Sequence, residues 1–331
     1  MKAIVQDRYG SPDVLAFRDV ADPVPAAGHA LVRVYAVSVN ARDWHVMRGD
    51  PYLARLAAPD MFGRTGPRTP IRGSDVAGVV EAVGADVTRW KPGDRVYGDL
   101  GGAAGGFAEY VSAPADLLDA MPDTLTFEEA AALPLAGVTA LLGLRDAGPV
   151  GPGTTVLVNG ASGGVGTFAV QIAKALGATV TAVCSTRNVD LVRSLGADDV
   201  VDYRRTDFAY AGRRYDVVFD LVANRSLRDL RRALTPAGTL VLSGGGVSEG
   251  GSLVGPMGIT IRAMLASRFI RQRVVRLDVP ADGANLAALR AFVEAGSVRP
   301  VIDRRFPLSE AAEAIRYVET EHARAKVVLT V

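Results

Sequence analysis

The rhythm of apolar and polar positions changes near Pro122. Before it, ALVRVYAVSVN (Ala30 to Asn40) alternates small or apolar with polar residues, VAGVVEAVG (Val76 to Gly84) reads as a strand, and KPGDRVYGD (Lys91 to Asp99) opens on a turn signal. Short strands between Gly and Pro turns predict a compact barrel or sandwich. From FEEAAALPLAGVTALLGL (Phe127 to Leu144) onward, helical stretches alternate with the β runs TTVLVNG, ATVTAVCS, DDVVDY, YDVVFDLV and GTLVLSG. Strands separated by helices imply right-handed crossovers and a parallel sheet covered on both faces. The last stretch, Gly296 to Val331, returns to strand character in VRPVIDRRF and KVVLTV around the helix-like SEAAEAIRYVE. This order predicts an α/β fold in which a doubly wound parallel sheet over 124–296 is inserted into a mostly β domain made of 1–123 and 297–331.

The segment from Thr154 to Asn188, TTVLVNGASGGVGTFAVQIAKALGATVTAVCSTRN, holds strand, Gly-rich turn, amphipathic helix and second strand in the order of a mononucleotide-binding half. Within the turn Ser162, Gly163, Gly164, Val165 and Gly166 are the candidate phosphate contacts. Gly163 lets backbone approach a pyrophosphate, Gly166 permits tight packing of helix on sheet, and the helix start near Gly164 offers free N–H groups and a positive dipole end. Ala161 stands where the usual G-x-G-x-x-G has its first glycine. A turn that merely closes a loop is the plainer alternative, and the flanking elements argue against it.

An acid at the end of the second strand would take the ribose hydroxyls of NAD and repel a 2′-phosphate. Here TVTAVC runs into Ser185, Thr186, Arg187 and Asn188, a hydroxyl, guanidinium and amide set suited to a phosphate monoester. NADPH is therefore the expected cofactor. A solvated surface role for Arg187 stays open in so Arg-rich a chain.

Composition narrows the partners. The 37 basic residues balance 36 acidic ones and are scattered, so no basic face for nucleic acid is expected. One cysteine, Cys184, excludes an intrachain disulfide and any thiolate metal cluster, and points to the cytoplasm. The start MKAIVQDRYG has no apolar signal-like core. The uncharged stretch from Ala147 to Ala173 is long enough to raise a membrane span, but Pro149, Pro152 and seven glycines break it, and strand, turn and helix are expected instead.

The segments SVNARDWHVMRGD, IRGSDVAGVVEAVG, KPGDRVYG, LAGVTA, NGASGGVG and KVVLTV together resemble the medium-chain dehydrogenase/reductase superfamily over essentially the whole chain. The resemblance implies a GroES-like catalytic domain around the Rossmann domain. Where zinc alcohol dehydrogenases of that superfamily place a Cys ligand and a Gly-His-Glu, this chain has Asn40 and Gly73, Ser74 and Asp75, so no metal site is expected. SVNARDWHVMRGD is similar to the S-V-N-x-x-D segment of quinone oxidoreductases and the N-x-R-D segment of polyketide enoyl reductases. CSTRN followed by LVRSLGADDVVDY looks most like the quinone-reductase branch that includes the reticulon-interacting reductases. That branch implies hydride transfer from NADPH to a quinone or the β-carbon of an activated alkene.

Carried over by this resemblance, Asn40 would lie by the nicotinamide and donate its amide to cofactor or acceptor. Asp43 is a candidate for catalysis and equally for a helix cap or a partner of Arg42 or Arg48. His45 stands where quinone reductases often present Tyr, and either supplies a proton or is a structurally satisfied histidine. Tyr52, slightly displaced, is a candidate for the same space. Thr139, Tyr203, Val222, Ser243, Gly244 and Lys326 are further cofactor candidates, although Ala325 departs from the common G-K-V-V. MGITIRAMLASRFIRQRVV (Met257 to Val275) would cap the cleft, and VVRLDV, near residues 273–279, would pair two subunits into a homodimer. Two other readings remain: an NADP-dependent alcohol or aldehyde dehydrogenase, and a non-catalytic NADPH-binding sensor or partner protein.

Overall fold

A computed structural model of the chain describes residues 1–243, 258, 263, 270–320 and 323–331. Strands β1 (Lys2–Gln6) and β2 (Leu15–Asp19) pair antiparallel by themselves. The first lobe continues with β3 (His29–Val39), helices α1 (Ala41–Arg48), α2 (Tyr52–Ala57) and α3 (Pro59–Phe62), then β4 (Asp75–Val83), β5 (Arg95–Asp99), β6 (Tyr110–Pro114) and β7 (Leu118–Ala120). Helices α4 (Phe127–Ala131) and α5 (Pro134–Leu142) lead into β8 (Thr155–Asn159), α6 (Gly164–Ala175), β9 (Thr179–Cys184), α7 (Val189–Ser194), β10 (Asp199–Asp202), β11 (Tyr215–Asp220), α8 (Leu227–Arg232), β12 (Leu234–Leu242) and β13 (Arg273–Arg276). After α9 (Gly283–Glu294) the chain returns through β14 (Ile302–Pro307), α10 (Ala311–Thr320) and β15 (Lys326–Thr330).

The six strands β8 to β13 are all parallel, in the order β10-β9-β8-β11-β12-β13. That is a doubly wound sheet whose strand order reverses beside β8, where ligands of such sheets bind. Its central strands are apolar throughout because both faces are covered: Val156, Leu157 and Val158 are all fully buried. The other sheet joins β14-β15-β3-β4-β5-β7, with β6 also on β3. Its register ties the C-terminal β15 to β3, Val327 opposite Val39 and Thr330 opposite Ala36. The α/β sheet is thus an insertion in a mostly β lobe, the expected architecture.

Several local boundaries differ from the pattern. The helical stretch Phe127 to Leu144 is split, because Pro134 has no N–H to continue α4, whose start is fixed by the Thr126 and Glu129 capping box. The uncharged stretch Ala147 to Ala173 resolves into turn, β8, Gly-rich turn and α6. Among the described residues no helix is long and apolar enough to cross a membrane. Of the expected pairing strand VVRLDV, only the part up to Arg276 is strand. Most of Met257 to Val275 lies outside the described residues, as does Gly244.

Candidate active site

The Gly-rich turn leaves β8 at its carboxyl end and enters α6. Gly160 sits at φ +89, and a Cβ on Gly166 would lie 2.1 Å from the Gly160 carbonyl oxygen, so Gly166 is what lets the helix close on the strand. Gly163 is different. A Cβ there would meet only the Gly160 carbonyl oxygen, at 3.4 Å. No protein neighbour requires that glycine, and the open face beside it is the kind a pyrophosphate fills. Ser162 and Val165 flank it, half-buried.

Beyond β9, Asn188 gathers the turn: its Nδ2 donates to Ser162 Oγ at 2.9 Å and lies 3.5 Å from Ser185 Oγ. Asn188 Oδ1 is buried without a partner, so the amide keeps an acceptor in reserve for a ligand hydroxyl. Arg187 and Tyr203 are exposed at the same edge. Thr186 turns away, its hydroxyl donating to Asp202 at 2.6 Å. Hydrogen bonding by Thr186 holds the Asp202 carboxyl below its usual range. This acid at the end of β10 was not visible from the second strand alone, and it removes Thr186 from the phosphate set. Deeper in, Asp220 at the end of β11 accepts from Asn159 Nδ2 at 2.8 Å and from the Val222 and Ala223 N–H groups at 3.2 Å. Its second oxygen is buried without a partner, and Ser243 closes the same strand end by donating its N–H to the Asp220 carbonyl at 3.0 Å.

Facing this edge, the β lobe presents a buried polar cluster. Asn40 caps α1, and Asp43 returns its carboxylate to the Asn40 N–H at 2.7 Å, so the cap reading of Asp43 is the one seen in the geometry. Asn40 Nδ2 donates to Asp75 Oδ2 at 2.9 Å, and Asn40 Oδ1 accepts from Lys326 Nζ at 2.5 Å. Those partners fix the amide's orientation, since an ammonium only donates and a carboxylate accepts. Asp75 also accepts from Ser38 Oγ at 3.0 Å and from the Leu135 N–H of α5 at 3.1 Å, and stands 3.9 Å from Lys326 Nζ. Burial raises the Asp75 carboxyl to about 7 against the pull of Lys326, lifts Asp43 to about 6, and lowers Lys326. Thr139, buried on α5, spends its hydroxyl on the Leu135 carbonyl at 2.6 Å.

Lys326 joins the two lobes. Its Cδ lies 3.2 Å from where a Cβ on Gly164 would stand, while its head group reaches Asn40. The residue before it, Ala325, donates its N–H to the Ser162 carbonyl at 2.8 Å. Ala325 does so at φ 53, a left-handed conformation that favours glycine, the residue of the common pattern.

Two family descriptions match: an alcohol dehydrogenase GroES-like domain over residues 26–123 and a zinc-binding dehydrogenase over residues 195–329. A chloroplastic quinone-oxidoreductase, QR1, of Triphysaria versicolor is 34% identical over 99% of this chain and 98% of its own length. A chloroplastic NADPH-dependent alkenal/one oxidoreductase of Arabidopsis thaliana is 34% identical over 99% of this chain and 79% of its own. The solved quinone oxidoreductase of Coxiella burnetii superposes with a TM-score of 0.85 at 32% identity, covering 100% of this chain and 99% of that one. The chain belongs to the zinc-free, quinone-oxidoreductase-like branch of the medium-chain dehydrogenase/reductases.

In this quinone-oxidoreductase-like chain the positions that carry metal ligands in zinc enzymes are an amide, a hydroxyl and a carboxylate, and Lys326 supplies the positive charge among them. Two sequence candidates stand apart from that cluster. His45 is half-buried against Trp44, ring centroids 3.7 Å apart, with Nδ1 3.3 Å from the Asp50 carbonyl oxygen. A carbonyl only accepts, so Nδ1 carries the hydrogen and Nε2 of the neutral ring is an acceptor. Burial lowers the His45 pKa, which favours that neutral form. Tyr52 is exposed on α2 under the Arg55 guanidinium, 4.7 Å from its ring centroid. Asp75, by contrast, emerges as the hub. In the sequence it is marked only as standing where zinc enzymes place a ligand, at the head of a mostly apolar strand.

Proposed function

We propose that the chain is an NADPH-dependent reductase of quinones or α,β-unsaturated carbonyl compounds, working without zinc. The observation that carries this reading is the Lys326 ammonium, packed along the phosphate turn and bonded to Asn40 Oδ1 at 2.5 Å. The turn, with its open Gly163 face and the unused acceptor of Asn188, fits a dinucleotide; Ser185 and Arg187 would hold the 2′-phosphate, and Gly163, Gly164 and Lys326 the diphosphate end. When bound, NADPH would supply the hydride from C4 of its nicotinamide.

The chain's own residues do the rest. Lys326 polarises the Asn40 amide, strengthening its N–H groups as donors. One N–H is held by Asp75; the other, now 3.5 Å from the Ser38 carbonyl and hydroxyl oxygens, would turn to the oxygen of the acceptor, where negative charge grows as hydride arrives. The buried cluster keeps this charge in a medium where electrostatic stabilisation counts for more than in water. Asp43 serves this centre as the cap that fixes Asn40.

The same reading assigns 1–123 with 297–331 to the acceptor side and 124–296 to the nucleotide. Among the described residues β13 is the outer strand of the parallel sheet, which supports pairing of two subunits there. The single buried Cys184 supports a reducing compartment such as the cytoplasm, though the relatives named above are chloroplastic or bacterial. The test is oxidation of NADPH, with NADH in parallel, against 1,4-benzoquinone, a small enone and a simple ketone. Turnover of quinone or enone with preference for NADPH is expected; turnover of the ketone alone would favour the alcohol dehydrogenase reading, and tight NADPH binding without any turnover a sensor.

A further inference from the structure

Asp75 is fully buried at the head of β4, opposite Ser38 of β3. Each neighbour bonded to it is a donor. Its Oδ2 accepts from Asn40 Nδ2 at 2.9 Å and from Ser38 Oγ at 3.0 Å, both in the β lobe. Its Oδ1 accepts at 3.1 Å from the Leu135 N–H, which lies in the span assigned above to the nucleotide. Lys326 Nζ stands 3.9 Å away and supplies the counter-charge that a buried carboxylate needs.

The Leu135 bond falls at a particular place. Pro134 opens α5, and the N–H of Leu135, at the second helical position, has no partner within the helix. Asp75 satisfies it from the other lobe. Helix α5 packs against α6, which begins at Gly164 of the phosphate turn. One carboxylate therefore ties the Asn40 amide to the helix pair that carries that turn. Apolar contacts also join the lobes, since Ala36, Ala77 and Tyr97 share a core with Val138 and Leu141 of α5, but apolar burial has no direction. Hydride transfer tolerates little error in placement, so a donor on one lobe and a nucleotide on the other need a directional link.

We propose that Asp75 is a positioning residue, holding the Asn40 amide in register with α5 so that the donor to the acceptor oxygen stands at a fixed place relative to the nucleotide. This rests on the reductase reading above and adds the residue that sets the geometry of its donor. Asp75 itself touches neither hydride nor acceptor. An amide cannot replace it, because asparagine has one acceptor oxygen for two sides. The Leu135 N–H only donates, so in Asp75→Asn the oxygen stays there and the new NH2 group faces Asn40 Nδ2, donor against donor.

The experiment places Asp75→Asn and Asp75→Ser in the wild type and in Asn40→Ala, and measures kcat for 1,4-benzoquinone at saturating NADPH together with NADPH binding by calorimetry. Asp75→Asn is expected to lower kcat by at least about tenfold, as loss of a preorganised donor does. The NADPH dissociation constant should change by less than about threefold. In Asn40→Ala the same substitution should cost less than about twofold, because residues acting through one contact are not additive. An unchanged kcat in Asp75→Asn, NADPH affinity falling in step with kcat, or an undiminished cost in Asn40→Ala would overturn the proposal. In Asp75→Ser the hydroxyl is too short to span both partners, so hydrogen exchange at the Leu135 amide should quicken; unchanged exchange there removes the tie to α5. Should Asp75→Asn not fold, Asp75→Ser is carried through the same cycle with the same criteria. If the wild type turns over no acceptor, the reductase reading fails and the Asn40 side-chain amide resonance, identified by its loss in Asn40→Ala, decides separately. Faster exchange of its protons in Asp75→Asn upholds the tie, and unchanged exchange overturns it.

Discussion

The two faces of the cleft solve different problems. On the proposed nucleotide side the surface is backbone: a turn between β8 and α6, an open position at Gly163, and amides such as Asn188 that hold the loop and keep one acceptor spare. One buried acid there, Asp220 at the end of β11, is raised by burial. On the acceptor side the working groups are ionisable and buried: Asp43 and Asp75 are lifted to about 6 and about 7, and Lys326 is lowered. A surface that must recognise one invariant cofactor needs shape and dipoles, while a site that must absorb charge during a reaction needs groups held ready at a cost in desolvation. Lys326 touches both, which makes it the place where the contrast is most exposed to test.

Removing that link should have the largest effect. Lys326→Met is expected to lower kcat by about 100-fold, because the Asn40 amide it polarises and orients is then lost as a preorganised donor to the developing oxyanion; steady-state kinetics at saturating NADPH checks it. Next come the two glycines, which separate packing from binding. Gly166→Ala forces a Cβ against the Gly160 carbonyl and should destabilise the fold by about 1–3 kcal/mol in denaturant titrations. Gly163→Ala meets no protein atom closer than 3.4 Å, so it should fold normally and lose NADPH affinity instead. Equal loss of stability in the two variants would dissolve the distinction.

Arg187→Ala should weaken NADPH binding by about tenfold, roughly 1.4 kcal/mol, and leave NADH nearly unaffected. Equal weakening of both cofactors would show that Arg187 does not read the 2′-phosphate. A pH titration sharpens the other side. Asp43 titrates near 6 in the fold and near 3.8 when unfolded, so the folded state holds the extra proton between those values. Its contribution is therefore greatest below the unfolded value and is lost as pH rises through about 6. Denaturant midpoints should fall across that window by an amount worth about 1–3 kcal/mol, and Asp43→Asn, which can still cap Asn40, should flatten the fall. The smallest effect is expected at Ala325, where Ala325→Gly relieves a left-handed alanine and should raise stability by at most about 1 kcal/mol.

The two faces were also unequally legible in the sequence. The nucleotide half lies within Thr154 to Asn188, a contiguous strand, turn, helix and strand, so periodicity and two glycines were enough to place it. The acceptor cluster draws Ser38 and Asn40 from β3 and α1, Asp75 from β4, Leu135 from α5 and Lys326 from β15. No local pattern joins residues so far apart; Asn40 and Lys326 were reached through family resemblance, and their direct contact through neither. Asp202 was missed because it belongs to the third strand while the reading of Thr186 stopped at the second. His45 and Tyr52 were candidates through the family resemblance, yet the chain turns the first toward Asp50 and leaves the second at the surface.

The most direct test of the account is a single-turnover measurement of hydride transfer from NADPH, and from NADPH deuterated at the transferred position, to 1,4-benzoquinone in the wild type and Lys326→Met. The account predicts a primary isotope effect on a hydride step that stays slow in the variant even when NADPH is saturating. A variant whose rate recovers fully once NADPH saturates would contradict it, reducing Lys326 to a cofactor anchor.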